Sequence, residues 1–280
     1  MRINIAKSAS FCFGVKRALE IVFKAAQEVG RVYTLGDIVH NEDVAGRIEK
    51  SGIKKIGKLK KIKSGSLLIP AHGASRKIFT RASRLGYTII DATCPMVKEI
   101  HKIVKEMRKK GYRIIVIGDK DHDEVRGIAG QLKEKILVIE NINRIPLARI
   151  KKIKRACVVA QSTQNLKNVL KIVAILKNHV PDLEFFNTIC RPTRTKQEEI
   201  RRMPLENDVM IIIGSKNSAN TKRLYEISRS LNKRSWWVNS PKEIKPAWFK
   251  GARSAGISAG ASTPEDTIKD IVKYIRSIPG

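Results

Sequence analysis

The chain has 280 residues, room for two or three small domains, and 42% of them are hydrophobic, enough for packed cores and too many for a disordered chain. No apolar run approaches the roughly 20 residues that a bilayer crossing needs, and the N-terminus lacks a signal-peptide core, so a soluble cytoplasmic protein is expected. The 56 Lys and Arg outnumber the 26 Asp and Glu to leave a net charge of +30, but the cations are spread along the chain and aromatics are only 5%, which argues against a dedicated nucleic-acid binder.

Short β-branched runs alternate with helical periodicity, the pattern of an α/β protein with mainly parallel sheets. A strand over residues 3–6 precedes a helix over 15–29. Strands over 67–70 and 88–91 then lead to a helix over 96–110. Strands over 114–117, 136–139 and 157–160 are followed by helices over 166–179 and 194–203. A strand over 209–213, a helix over 222–231 and strands over 235–238 and 255–258 complete the series. The last helix spans 264–277, with Thr263 as its cap and Pro264 in its first turn.

Four cysteines this far apart do not make a secreted disulfide scaffold. Each is either a buried structural thiol or a ligand or nucleophile. Ile89 to Ile100, IIDATCPMVKEI, has an echo in Asn187 to Ile200, NTICRPTRTKQEEI. Each segment ends a strand, presents a cysteine in a turn and opens a helix. Cys12, in SFCFGVKRAL, does the same after the first strand. Three such units would converge around a pseudo-threefold centre, where helix N-termini suit thiolates and anions. No CxxC pattern names a metal.

Other strand exits are polar. They carry His72 in AHGAS, His122 and Glu124 in GDKDHDEVRG, Ser162 and Thr163 in QSTQN, Ser218 and Asn220 in GSKNSANTKRL, and Ser262 in AGAST. In open α/β sheets ligands bind at the carboxyl ends of strands, and such loops suit phosphate oxygens. Singly, a Ser or Asn there is more often a helix cap, and a loop His merely solvated. Three of the five histidines, His40, His72 and His122, lie in loops; His101 and His179 fall in helical patterns and are assigned to structure. No Walker or dinucleotide signature is present. The residues themselves therefore indicate an anionic-ligand pocket near dispersed cysteines.

Taken together, FCFGVKRA, VHNEDV, AHG, DATCP, HDEVRG, AQST, GSKNSANTKRL and AGAST resemble, in order and spacing, the LytB (IspH) family of 4-hydroxy-3-methylbut-2-enyl diphosphate reductases. The resemblance implies three similar α/β domains in a pseudo-threefold arrangement around a central [4Fe–4S] cluster, with boundaries expected at 1–94, 95–188 and 189–280. Cys12, Cys94 and Cys190 would be its ligands, leaving one iron open to substrate. The implied reaction is a two-electron reductive dehydration giving isopentenyl and dimethylallyl diphosphates in the non-mevalonate pathway. Glu124 would donate the proton and Ser162 would lie near the substrate hydroxyl. His122 would hold the diphosphate and the proton network, and His40, His72, Ser218, Asn220 and Ser262 would bind diphosphate. A ferredoxin- or flavodoxin-type donor, an allylic diphosphate substrate and a monomeric enzyme are implied, with no membrane or nucleic-acid partner.

Several positions depart from the family pattern: Ser10 for a glycine, Asp123 for a proline, Ala219 for a hydroxyl residue, and Arg191–Pro192 after the third cysteine. Cys157 has no family role and reads as a structural thiol. Two other readings compete: a cluster-containing hydro-lyase, and a basic nucleic-acid-binding protein whose cysteines are structural or bind zinc.

Overall fold

A computed structural model describes residues 1–278. The chain opens with β1 (Arg2–Ile5), α1 (Phe13–Glu28), β2 (Val32–Thr34), α2 (Glu42–Lys50), β3 (Lys54–Lys55), β4 (Ser66–Ile69), α3 (Arg76–Arg84) and β5 (Thr88–Asp91). It continues through α4 (Pro95–Lys109), β6 (Arg113–Ile117), α5 (Asp123–Ala129), β7 (Leu137–Ile139), α6 (Leu147–Ile150), β8 (Arg155–Ala160), α7 (Leu166–Lys177) and β9 (Asp182–Phe186). It closes with α8 (Arg191–Glu206), β10 (Val209–Ile213), α9 (Ala219–Leu231), β11 (Ser235–Val238), β12 (Ser254–Ala259) and α10 (Glu265–Arg276).

Among the described residues the strands form three four-stranded sheets, ordered β3-β2-β4-β5, β7-β6-β8-β9 and β1-β12-β10-β11. Every strand pairing is parallel. The first two sheets follow the order second, first, third, fourth along the chain. The last follows the same order once β1 is counted as the fourth strand after β10, β11 and β12. The N-terminal strand thus completes the C-terminal sheet, pairing Arg2–Ile5 with Ser254–Ile257. It takes no part in the β2–β5 sheet that the expected 1–94 segment contains.

The chain divides into two compact units. One holds Met1–Lys16, His40–Ala45 and the chain from Arg191 onward; the other holds Arg17–Val39 and Gly46–Cys190. Each buries its sheets on both faces, as parallel strands require. In the first, Val209, Ile211, Ile213, Ala255 and Ile257 pack against Ile268, Ile271 and Ile275 of α10. On the opposite face Met210 and Ile212 meet Ile200 of α8 and Leu224 and Ile227 of α9. In the second, Ile115, Ile117 and Val158 face Val169, Ile172 and Leu176 of α7, while Ile114, Val116, Cys157 and Val159 face α4 and α5.

The clearest helix in the sequence, α4, shows why these segments fold as they do. Pro95 sits in its first turn, Arg108 and Lys109 in its last, and Val97, Ile100, Val104 and Met107 form its buried stripe. The last helix differs from expectation at its start. Pro264 is its cap residue and no side chain caps it, while the Thr263 hydroxyl donates to the Ile213 carbonyl at 3.1 Å. The helix after β8 ends at Lys177, leaving His179 in the turn beyond it.

Candidate functional site

The three cysteines repeat one local arrangement, each within its own sheet. Cys12, Cys94 and Cys190 follow the fourth-position strands β1, β5 and β9, and α1, α4 and α8 start at the very next residues. Each backbone amide donates to a carbonyl two residues beyond the third-position strand: Cys12 to Ala261 at 3.1 Å, Cys94 to Ala71 at 2.9 Å, Cys190 to Ser162 at 3.1 Å. All three thiols are half-buried, whereas Cys157 is fully buried in β8. Burial pushes the Cys157 thiol up to about 12, in keeping with a structural thiol packed in the core. Three equivalent, partly accessible thiols fit the soft donor set of an iron–sulfur cluster.

In the Arg17–Cys190 unit, β6 lies beside β8, and their exits bring an acid to a hydroxyl. His122 caps α5, its Nδ1 accepting from the Glu124 amide at 3.1 Å. Glu124 is 3% exposed. Its Oε1 accepts from the Ser162 amide at 2.6 Å and its Oε2 from the Ser162 hydroxyl at 2.7 Å. Burial drives this carboxyl from near 4.5 up to about 6, against the pull of the two Ser162 hydrogen bonds; the charge of Asp119 pushes it the same way as burial. Gln161 locks the two exits together, its Oε1 accepting from the Asp119 amide at 2.9 Å. Asp123 turns its carboxylate toward His72, 3.7 Å from Nε2, and toward Arg126 at 3.8 Å. His72 precedes Gly73, whose φ of +78° and whose contact with the His101 ring, 2.9 Å from where a Cβ would sit, both demand glycine. Burial holds the His101 imidazole down at about 4, so it is a neutral packing group.

The other unit collects a second polar set. Ser218 caps α9, its Oγ accepting from the Thr221 amide at 3.2 Å. Two residues on, Asn220 is 4% exposed and, among the described residues, neither its amide nitrogen nor its oxygen has a hydrogen-bond partner. A buried amide left unpaired is costly, and one at a helix N-terminus is well placed to receive an anion. The Ser262 hydroxyl donates to the His40 carbonyl at 3.1 Å. The segment carrying His40 is tied down by Glu42, which accepts from the Ser215 hydroxyl at 2.8 Å and from Asn217 Nδ2 at 3.1 Å.

The expected site residues thus fall into two groups. Glu124, Ser162, His122, His72, Cys94 and Cys190 lie in one unit; Cys12, His40, Ser218, Asn220 and Ser262 lie in the other. Sequence reasoning passed over Glu42, Gln161 and Lys196. Glu42 sits within VHNEDV and Gln161 within AQST, so adjacency to those motifs was a usable signal. Lys196 had none beyond its spacing of four from Ile200.

The LytB protein family profile matches residues 3–276. The chain belongs to the LytB family. It is 39% identical over 278 residues to the 4-hydroxy-3-methylbut-2-enyl diphosphate reductase of Geobacter metallireducens, covering 99% of this chain and 98% of that one. The enzyme of the same name from Aquifex aeolicus is also 39% identical, with 99% and 96% covered. Among solved structures, an (E)-4-hydroxy-3-methyl-but-2-enyl diphosphate reductase described as the terminal enzyme of the non-mevalonate pathway superposes with a TM-score of 0.70 at 38% identity, covering 99% of this chain and all of that one. The Plasmodium falciparum reductase superposes with a TM-score of 0.91 at 30% identity, covering 99% and 89%. Three parallel sheets flanked by helices are therefore the architecture of LytB members. Among the described residues no helix is long and apolar enough to cross a membrane.

Proposed function

We propose that this LytB member reduces 4-hydroxy-3-methylbut-2-enyl diphosphate to isopentenyl and dimethylallyl diphosphates in the cytoplasm, as a monomer, with Cys12, Cys94 and Cys190 ligating a [4Fe–4S] cluster. The reaction consumes two electrons and two protons: the allylic C–O bond breaks, water leaves, and one proton enters a carbon of the allyl fragment. The observation that carries the reading is the buried Glu124–Ser162 pair. A carboxyl held near 6 is partly protonated at neutral pH and poised to release its proton.

When bound, a cluster held by three thiolates supplies electrons and an iron with an open coordination position. The chain's own residues do the rest. Ser162 clamps both oxygens of Glu124, fixing the direction in which its proton can leave. His122 holds the Glu124 backbone in the first turn of α5. The unpaired Asn220 amide, the Ser218 hydroxyl and His40 offer donors for diphosphate oxygens, joined by His72, while the Ser262 hydroxyl holds the His40 carbonyl. Neutral donors of this kind bind an anion without burying many fixed charges beside it. The electron donor is of ferredoxin or flavodoxin type, an acidic protein drawn to a chain of net charge +30.

The test is anaerobic purification followed by iron analysis, absorbance and turnover with a chemical reductant. About four irons per chain, visible colour lost in Cys94→Ser, and turnover lost in Glu124→Gln are expected. A colourless protein with stoichiometric zinc, or turnover that needs no reductant, would overturn the proposal.

A further inference from the structure

Lys196, in α8 six residues past Cys190, is 2% exposed and heads the fully enclosed large side chains of the protein. Nothing in the proposed reaction uses it. Its ammonium donates to three backbone carbonyls, those of Ser8, of Ser10 at 3.2 Å and of Ala259 at 3.0 Å, so all its protons are engaged. One turn further along α8, the Glu199 carboxylate accepts from the Ser8 amide at 3.1 Å and from the Ser8 hydroxyl. The turn directly before Cys12 is thus gripped through its carbonyls by a cation and through its amide by a carboxylate. Ala259 ends β12, the strand whose exit carbonyl at Ala261 receives the Cys12 amide. Lys196 therefore joins the two chain segments that define where Cys12 stands, with its ammonium on the carbonyl two residues before that thiol.

An ordinary core position would hold an apolar side chain of this volume without the cost of stripping an ammonium of water. The charge and the three donors are what an apolar replacement would lack. A weaker version of the same device occurs in the other unit. Arg17 of α1, five residues past Cys12, donates to the Thr93 carbonyl at 3.2 Å, immediately before Cys94. In both places the helix that follows one cysteine grips the turn that presents another.

We infer that Lys196 is a positioning residue for Cys12: it fixes the turn that aims the thiolate and keeps a buried positive charge beside it. The inference rests on Cys12 being a cluster ligand. A cation there favours the more negative, reduced state of a thiolate-bound cluster, and a fixed turn slows loss of metal.

The test uses the full chain, purified anaerobically, as wild type, Lys196→Gln and Lys196→Arg. Readouts are iron content, the midpoint potential followed by electron paramagnetic resonance, the rate of iron release to a chelator, and the unfolding midpoint of the apoprotein. Lys196→Gln should bind iron, titrate at a more negative potential than wild type, and release iron at least about tenfold faster. Lys196→Arg should keep the wild-type potential but release iron faster, because its planar fork cannot meet three converging carbonyls. A potential and release rate unchanged in Lys196→Gln would overturn the inference. If Lys196→Gln does not fold, an unchanged release rate in Lys196→Arg overturns it. A wild-type protein that binds no iron would instead sink the ligand reading, a failure visible without any variant.

Discussion

Ionising the buried Glu124 carboxyl costs stability, and the direction follows from its titration. Its folded-state value, about 6, lies above the ordinary 4.5, so the folded protein holds the extra proton and is favoured while the group is neutral. That contribution is complete below about pH 4.5 and is lost as pH rises through about 6, at roughly 1–2 kcal/mol. Glu124→Gln keeps an acceptor for the Ser162 amide and has no charge to bury. Urea unfolding of the apoproteins should show the variant about 1–2 kcal/mol more stable than wild type at pH 7.5 and equal to it at about pH 4. Equal stability at both would refute the buried-acid assignment, and turnover should fall by at least about 100-fold. Gly73→Ala belongs to the same scale. A positive φ and the His101 ring both oppose a methyl group, so a loss of about 1–3 kcal/mol, measured by thermal melts, is expected together with weaker substrate binding through His72. Glu124 and His72 stand out in the sequence because they lie in polar strand exits. The clamp on Glu124 does not, because Ser162 is 38 residues away and reaches it only through the β6–β8 pairing. Lys196 is one cation among 56, in a helix segment reading RPTRTKQEEIRR, and only its three-dimensional partners single it out.

Among the elements, the strands that the sequence reveals carry short apolar or β-branched runs, most plainly Val209–Ile213 and Arg155–Ala160. Val32–Thr34 is too short to show a period, and Lys54–Lys55 is a pair of exposed lysines at a sheet edge, where charge blocks further pairing. Asp182–Phe186 is five residues broken by acids, and its strand character comes from pairing with β8. The strand at residues 3–6 is legible, but its partner is not, since local periodicity does not say which sheet a strand joins. Its place as the fourth strand beside β12 leads to a specific expectation. Removing residues 1–5 while keeping Cys12 should expose the β12 edge and destabilise the Arg191-onward unit. Hydrogen exchange should then show lost protection in β10 and β12 with β6 and β8 little changed. Uniform protection would mean that β1 is dispensable. At the start of α9 the expectation is reversed: Asn220→Ala removes two unpartnered buried polar atoms, so stability should hold or rise, while KM for the diphosphate substrate rises about tenfold. Unchanged KM would remove Asn220 from the anion site.

For the molecule as a whole, the question is whether +30 acts through a particular patch or as a general field. One basic cleft, lined by Arg113, Lys135, Arg149, Lys152 and Lys154, opens at the amino ends of β6, β7 and β8. The cysteine turns leave the carboxyl ends of their sheets, and a five-residue strand such as β6 separates its two ends by roughly 16 Å. A donor docked in that cleft would stand at the wrong end of its sheet, so the expectation is steering by the field of the dispersed cations. Such a field is screened over about 10 Å at 0.1 M salt and about 3 Å at 1 M. Cluster reduction by an acidic ferredoxin or flavodoxin, followed by stopped-flow absorbance, should therefore slow by about tenfold or more between about 0.05 and 0.5 M salt. Reduction by a methyl viologen radical cation, which the same field repels, should not slow and should if anything quicken. Reversing Lys152 to Glu changes the total by only two charges and leaves the field nearly intact, so it should alter the protein-donor rate less than twofold. A salt-independent rate with the acidic donor would show that the charge has no part in the encounter. A large loss from Lys152→Glu alone would show instead that the donor reads one cleft.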